Sequence, residues 1–138
     1  MADGDDFNGK VISEFRANAG KVGGFFEGAP LLLHHVGAKT GAERVNPLAY
    51  QQVGSSYAIF ASAGGQPRDP QWFRNVVASP DVSIEVGEST ARARARVTEG
   101  DERAAIWATQ KERMPNFADY EKNAAPREIP VVLLDPVA

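Results

Sequence analysis

The spacing of apolar residues changes along this chain and sorts it into helices and strands. Phe7, Val11, Ile12 and Phe15 recur at helical intervals, which predicts an amphipathic helix over Phe7 to Asn18 behind a disordered tail at residues 1–6. Gly20, Gly23, Gly24 and Gly28 end that pattern. Pro30 then opens a series of strand-like runs over residues 31–36, 44–53, 57–62, 82–86, 90–97 and 129–134. Gly54-Ser55 and Gly87-Glu88 fall between consecutive runs, as hairpin turns do. Asp69-Pro70 reads as an N-cap followed by proline at the first helical position, so a helix is expected over 71–78, stopping before Pro80. Another helix, over about 101–113, starts acidic and ends basic, in keeping with the helix dipole, and a short helical turn fits within 114–125. Hairpin links outnumber helical crossovers. The prediction is one domain over residues 7–138, mainly β within the α+β class, as a small antiparallel barrel or roll with flanking helices.

Composition narrows the chemistry. The chain has 138 residues, with 43% hydrophobic and 24% charged, ordinary values for one globular domain. It has no cysteine, so disulfides, thiolate catalysis and cysteine–zinc sites are excluded. No apolar run approaches membrane-spanning length and no signal-peptide pattern opens the chain, so the cytoplasm is the expected compartment. Peripheral membrane contact through residues 7–26 and homodimerisation through exposed strand edges are both compatible with the pattern. The net charge is −3, but residues 39–96 carry seven Lys/Arg against five Asp/Glu. A mildly basic middle suits an anionic small molecule and is too weak for a nucleic-acid surface.

The segment Gly37-Ala38-Lys39-Thr40-Gly41-Ala42-Glu43-Arg44 carries the clearest binding signal. A glycine-bracketed turn with a lysine, a hydroxyl and an arginine can direct amides and cations at one phosphate. The order Lys-Thr-Gly and the strand that follows distinguish it from a P-loop, and a plain hairpin turn with solvated charges is the alternative. Trp72 and Asn75 share a helix face and could hold a flat heterocycle, while Trp72 with Val76 also reads as a core stripe. Ser62-Ala63-Gly64-Gly65 ends a strand in small residues that let a ligand approach the backbone, or it is an ordinary loop. Arg92, Arg94 and Arg96 line one face of a strand, either solvated or as a basic track. His34 and His35 are adjacent in a strand and point to opposite faces, so they cannot chelate one metal together, and no metal site is expected. Tyr120 could supply a proton or simply pack.

In order along the chain, 36–41 with 44–48, Ala61 to Gly65, Pro70 to Asn75, Asn116 to Tyr120 and Arg127 to Val132 resemble the deazaflavin-dependent nitroreductase family. These actinobacterial proteins are split β-barrels, FMN-binding-like in fold, that use coenzyme F420. The resemblance implies that Lys39 and Arg44 bind the cofactor's phosphate-bearing side chain, assisted by Thr40 and the turn amides. It implies that Asn46, Pro47 and Leu48 line the ring site, that Ser62, Ala63 and Gly64 approach the deazaflavin along the backbone, and that Trp72 and Asn75 close the site. Ala63 stands where the best-known nitroreductase of the family has a lysine, and Ala49 and Phe117 stand where it has tyrosines. Proton donation is thereby left to Tyr120, Ser62 or water.

The implied function is hydride transfer from reduced F420 to a quinone-like acceptor, with nitroaromatics and enones as the family's other acceptors. Quinones are the safer expectation, because their reduced product can take its proton from solvent. The competing readings are a split-barrel module that holds F420, FMN or haem without turnover, and an interaction protein that uses the Arg92/Arg94/Arg96 strand.

Overall fold

The computed structural model describes residues 3–21 and 30–137, with side chains from Gly9 onward. Helix α1 spans Asp3–Ala17. It begins within the stretch expected to be a tail, and an acidic amino end suits the helix dipole there. Residues 1 and 2, and the glycines Gly23, Gly24 and Gly28, lie outside the described residues.

Strands β1 (Leu31–Val36), β2 (Glu43–Leu48), β3 (Tyr50–Val53) and β4 (Ser56–Phe60) follow, then α2 (Gln71–Ala78), β5 (Asp81–Val86) and β6 (Ser89–Val97). Helices α3 (Gly100–Arg113) and α4 (Asn116–Ala124) precede β7 (Val131–Pro136). All strand pairs are antiparallel, in the order β2-β1-β5-β6-β7-β4-β3. The strand expected over 44–53 is therefore two strands. Leu48 closes β2 against Leu31, and Tyr50 opens β3 against Ile59, with Ala49 alone between them. Strands at opposite ends of the order are joined by one residue, so the sheet curls until its two edges approach: a split barrel.

Backbone geometry also shifts the end of β4 and the start of β7. Strand β4 ends at Phe60 because Ser62 already has helical backbone angles (φ −74°, ψ −35°). Strand β7 starts at Val131 because Pro130 lacks an amide, and its carbonyl accepts the Ala61 N–H instead.

Side-chain alternation distributes the core. From β7, Val132 and Leu134 join Leu31, Leu33, Ile59, Ile84 and Trp72 inside the barrel. Val131 and Leu133 face the other way, against Ile106, Trp107 and Phe117 of α3 and α4. Leu32 faces outward on β1, under Val11 and Phe15 of α1. A strand buried on both faces reads as an unbroken apolar run, which is how Leu31–Leu33 and Val131–Leu134 look in the sequence.

Candidate active site

Two cavities share Trp72 as a wall, and the lining passes from one to the other along β2. The apolar one, about 210 Å³, is walled by Pro47, Leu48, Phe60, Trp72, Met114 and Phe117, with Ser62, Ala63, Gly64, Asn116 and Tyr120 as its polar edge. The polar one, about 410 Å³, is lined by Arg44, Asn46, Gln71, Asn75 and His35, with the Glu43 carboxylate and the apolar Ile12 and Val45 also in its wall. Nine of the eleven residues singled out for the cofactor thus line the two cavities. Lys39 and Thr40 line neither; both are exposed on the turn between β1 and β2.

Internal bonds build that turn. The Gly37 amide donates to the Ala42 carbonyl at 2.8 Å, and the Gly41 amide to the Gly37 carbonyl at 2.9 Å. Thr40 Oγ1 accepts the Ala42 N–H at 3.2 Å, so its hydroxyl oxygen serves the turn itself. The Ala38 N–H donates to Asn75 Oδ1 at 3.0 Å. Only the amides of Lys39 and Thr40 have no partner here among the described residues.

Asn75 is fully buried, and its amide is largely occupied inside the protein. Its Oδ1 accepts from Ala38 N–H and from Gln71 Nε2, both at 3.0 Å. A backbone N–H can only donate, which fixes the amide orientation and makes Nδ2 the donor to His35 Nδ1 at 3.1 Å. His35 must then carry its proton on Nε2, which donates to Asn46 Oδ1 at 2.7 Å. Burial lowers the His35 pKa, opposed by the Asn46 bond and reinforced by Arg44 and His34. A neutral imidazole therefore links β2, β1, α2 and the turn. Both histidines are excluded as a joint metal site in the sequence, and the link made by His35 has no local sequence signal. His34 does face the opposite way, toward Glu85, which Arg16 holds below the usual carboxylate range.

A second support lies under the loop at Ser62. Asp69, expected to cap α2, pairs with Arg127 Nη1 at 2.8 Å instead, and Pro70 takes the N-cap position without a side-chain bond. Arg127 also donates to the carbonyls of Ala61 (3.0 Å), Ser62 (2.9 Å) and Gln66 (3.0 and 2.7 Å). The loop it holds is left-handed at Ala63 (φ 49°), Gly64 (φ 64°) and Gly65 (φ 86°). A Cβ on Gly65 would come within 3.1 Å of the Tyr120 backbone, so loop and α4 are in close contact.

Tyr120 stands at the apolar cavity with its hydroxyl oxygen accepting from Asn116 Nδ2 at 3.1 Å. Its own proton is thereby left to point elsewhere. Phe117 packs edge-on against Phe60, Trp107 and Tyr120 and forms the apolar floor. The arginine stripe is mostly neutralised: Arg94 pairs with Asp81, and Arg96 with Glu102 and Asp135.

Comparison with known proteins decides among the cofactors. Residues 10–136 match the model of the F420H(2)-dependent quinone reductase family. The chain belongs to this family. An F420H(2)-dependent quinone reductase of Mycobacterium tuberculosis is 38% identical over 125 residues, 87% of this chain and 83% of that one. A solved F420-H2-dependent reductase is 37% identical with a TM-score of 0.70, covering 76% of this chain and 92% of its own. A domain-swapped dimer is 30% identical with a TM-score of 0.73, over 97% of this chain and 100% of the other. A haem-storage protein of Vibrio cholerae, 19% identical with a TM-score of 0.60 over 95% and 91%, shares the fold alone. Coenzyme F420, rather than FMN or haem, is the cofactor of the matched family. The match is to quinone reductases, and the nitroreductase name expected from the motifs is not carried by it.

Proposed function

We propose that this F420H(2)-dependent reductase acts on quinones, with the deazaflavin ring in the apolar cavity and the phosphate-bearing side chain toward Arg44. One observation carries the reading: in a chain of this family, an apolar cavity and a cation-bearing polar cavity share Trp72. Their donor sets fit an amphiphilic, anionic cofactor. Pro47, Leu48 and Trp72 offer flat apolar contact, while Arg44, Asn46 and Gln71 offer donors. Lys39 adds charge from the exposed turn and Thr40 shapes it. Asn75 and Arg127 keep the walls in place.

The cofactor, when bound, supplies a hydride; the protein supplies orientation, water exclusion and a proton. Tyr120 is the side-chain proton donor of this scheme, because Asn116 occupies its oxygen and leaves its hydrogen free to be delivered. Ser62, whose hydroxyl has no partner among the described residues, is the second candidate donor. Quinones rank above enones and nitroaromatics as substrates. A reduced quinone takes its protons on oxygen, which exchanges with solvent, whereas an enone needs one placed on carbon.

No helix of the described residues is long and apolar enough to cross a membrane, and a cytoplasmic location is part of the proposal, checked by fractionation. A homodimer is the assembly favoured by the domain-swapped relative, and light scattering at twice the chain mass tests it. The functional test compares oxidation of reduced F420 by menadione, a nitroaromatic and a cyclic enone. Turnover fastest with menadione supports the proposal, and turnover with the other two alone refutes the quinone assignment.

A further inference from the structure

In the loop leaving β4, the backbone offers more than the Ser62 hydroxyl. Ser62 is right-handed (φ −74°, ψ −35°) and Ala63 is left-handed (φ 49°), followed by Gly64 (φ 64°, ψ 21°). A right-handed residue followed by a left-handed one turns three successive amide groups toward a single concavity, the backbone nest that binds anions. Gly65 N–H donates to the Ser62 carbonyl and Gln66 N–H to the Ala63 carbonyl. The amides of Ser62, Ala63 and Gly64 have no partner among the described residues. These three residues line the apolar cavity, whose lining includes no Lys, Arg, Asp or Glu among the described residues.

Arg127 explains why the loop keeps this shape. Its side chain is 12% exposed, and its guanidinium takes up the carbonyls of Ala61, Ser62 and Gln66 while Asp69 balances its charge. The carbonyls turn toward Arg127, which leaves the amides free to face the cavity. Ala63 in a left-handed conformation is strained, and strain of this kind persists only where neighbours enforce it.

We infer that the Ser62–Gly64 amides form an anion nest for a negatively charged oxygen in the apolar cavity, and that Arg127 is the positioning residue that sets it. The catalytic part rests on the proposed function; the binding part does not. A quinone that accepts a hydride gains two electrons on its ring and holds one oxygen as a phenolate, the donor being left oxidised. A proton then joins that oxygen. Three amides in an apolar cavity stabilise the phenolate before the proton arrives. A ring carbonyl oxygen of the cofactor carrying partial negative charge offers the same chemistry.

The test uses the full chain without cofactor and 4-nitrophenol as the probe, whose ionised form has its own absorption band. The bound probe is expected to favour the phenolate roughly tenfold over its ratio in free solution, as charge-assisted hydrogen bonds do. Arg127→Lys, which keeps the charge and loses the fork, should remove most of that preference. Should Arg127→Lys fold poorly, Ser62→Pro serves: φ at Ser62 already suits proline, and the substitution deletes one nest amide. Equal loss in Ser62→Ala would assign the effect to the hydroxyl and overturn the nest. No phenolate preference in the wild type, or no binding of either form, also overturns it. F420 fluorescence titration is read separately. A weaker F420 Kd in Arg127→Lys assigns the oxygen to the cofactor, whereas an unchanged Kd with a lowered kcat assigns it to the acceptor. F420 binding by a wild type without phenolate preference leaves the proposed function standing and removes the nest alone.

Discussion

Replacing His35 with phenylalanine tests the buried link between the turn and the barrel. Phenylalanine fills the space of the imidazole and removes both of its hydrogen bonds. Asn75 is fully buried, so its Nδ2 loses a partner with no water to replace it, at a cost of about 1–3 kcal/mol. Asn46 is half-buried and lines an open cavity, so water can satisfy its Oδ1, and it adds at most about 1 kcal/mol. His35→Phe should therefore lose about 1–4 kcal/mol at pH 8, or roughly 3–20 °C in Tm for a domain of this size. The pH dependence sharpens the test. Burial lowers the His35 pKa in the folded state, so between that value and the ordinary 6.5 the unfolded chain binds more protons. Stability from neutral His35 is complete above pH 6.5 and declines as pH falls below it. Thermal melts of both proteins at pH 8 and 5.5 should show the gap between them narrowing at the lower pH. A Tm loss under about 2 °C at pH 8, or a gap that does not narrow, would refute the role given to His35.

Arg44→Ala should weaken F420 binding by roughly ten- to a hundredfold, the worth of a charge-assisted bond at a cavity, and Lys39→Ala by less than about fivefold because Lys39 lines neither cavity. Fluorescence titration orders the two, and a larger effect at Lys39 would contradict the assignment of the phosphate to the Arg44 cavity. Tyr120→Phe should lower kcat with an enone by about a hundredfold and with menadione by far less, since only the enone needs a proton on carbon; equal losses would count against Tyr120 as the donor. Gly65→Ala forces a Cβ into a left-handed residue 3.1 Å from the Tyr120 backbone, so Tm should fall by roughly 5 °C or more, and an unchanged melt would mean that the loop is free to move.

Local signals carried much of the fold. The bounds of β1 and α2, the two glycine hairpins and the acid-to-base polarity of α3 depend on neighbours a few residues apart, and all were readable. The crossing at Ala49 was not, because a strand that changes partners halfway looks like one strand until its partners are known. The cavity walls were legible through the resemblance, since they sit in ordered motifs. Their supports were not. Arg127 reaches carbonyls 61 to 66 positions away, and His35 joins residues 11 and 40 positions away. The motifs place Thr40 and Asn75 at a ligand, yet Thr40 Oγ1 is bonded within its own turn by the Ala42 amide, and Asn75 is bonded by Gln71 on its helix and by Ala38, 37 positions away. The proline after Asp69 marks it as a helix cap, and a part-buried guanidinium competes for it more strongly.

Quinone reduction is tested most simply by anaerobic mixing of the purified protein with reduced F420 and menadione, following the return of oxidised F420 fluorescence. Many turnovers per protein are expected, none without menadione, with strong loss in Arg44→Ala at limiting cofactor. Tight F420 binding with no oxidation by menadione would contradict quinone reduction, and would leave a split barrel that holds the cofactor without using it.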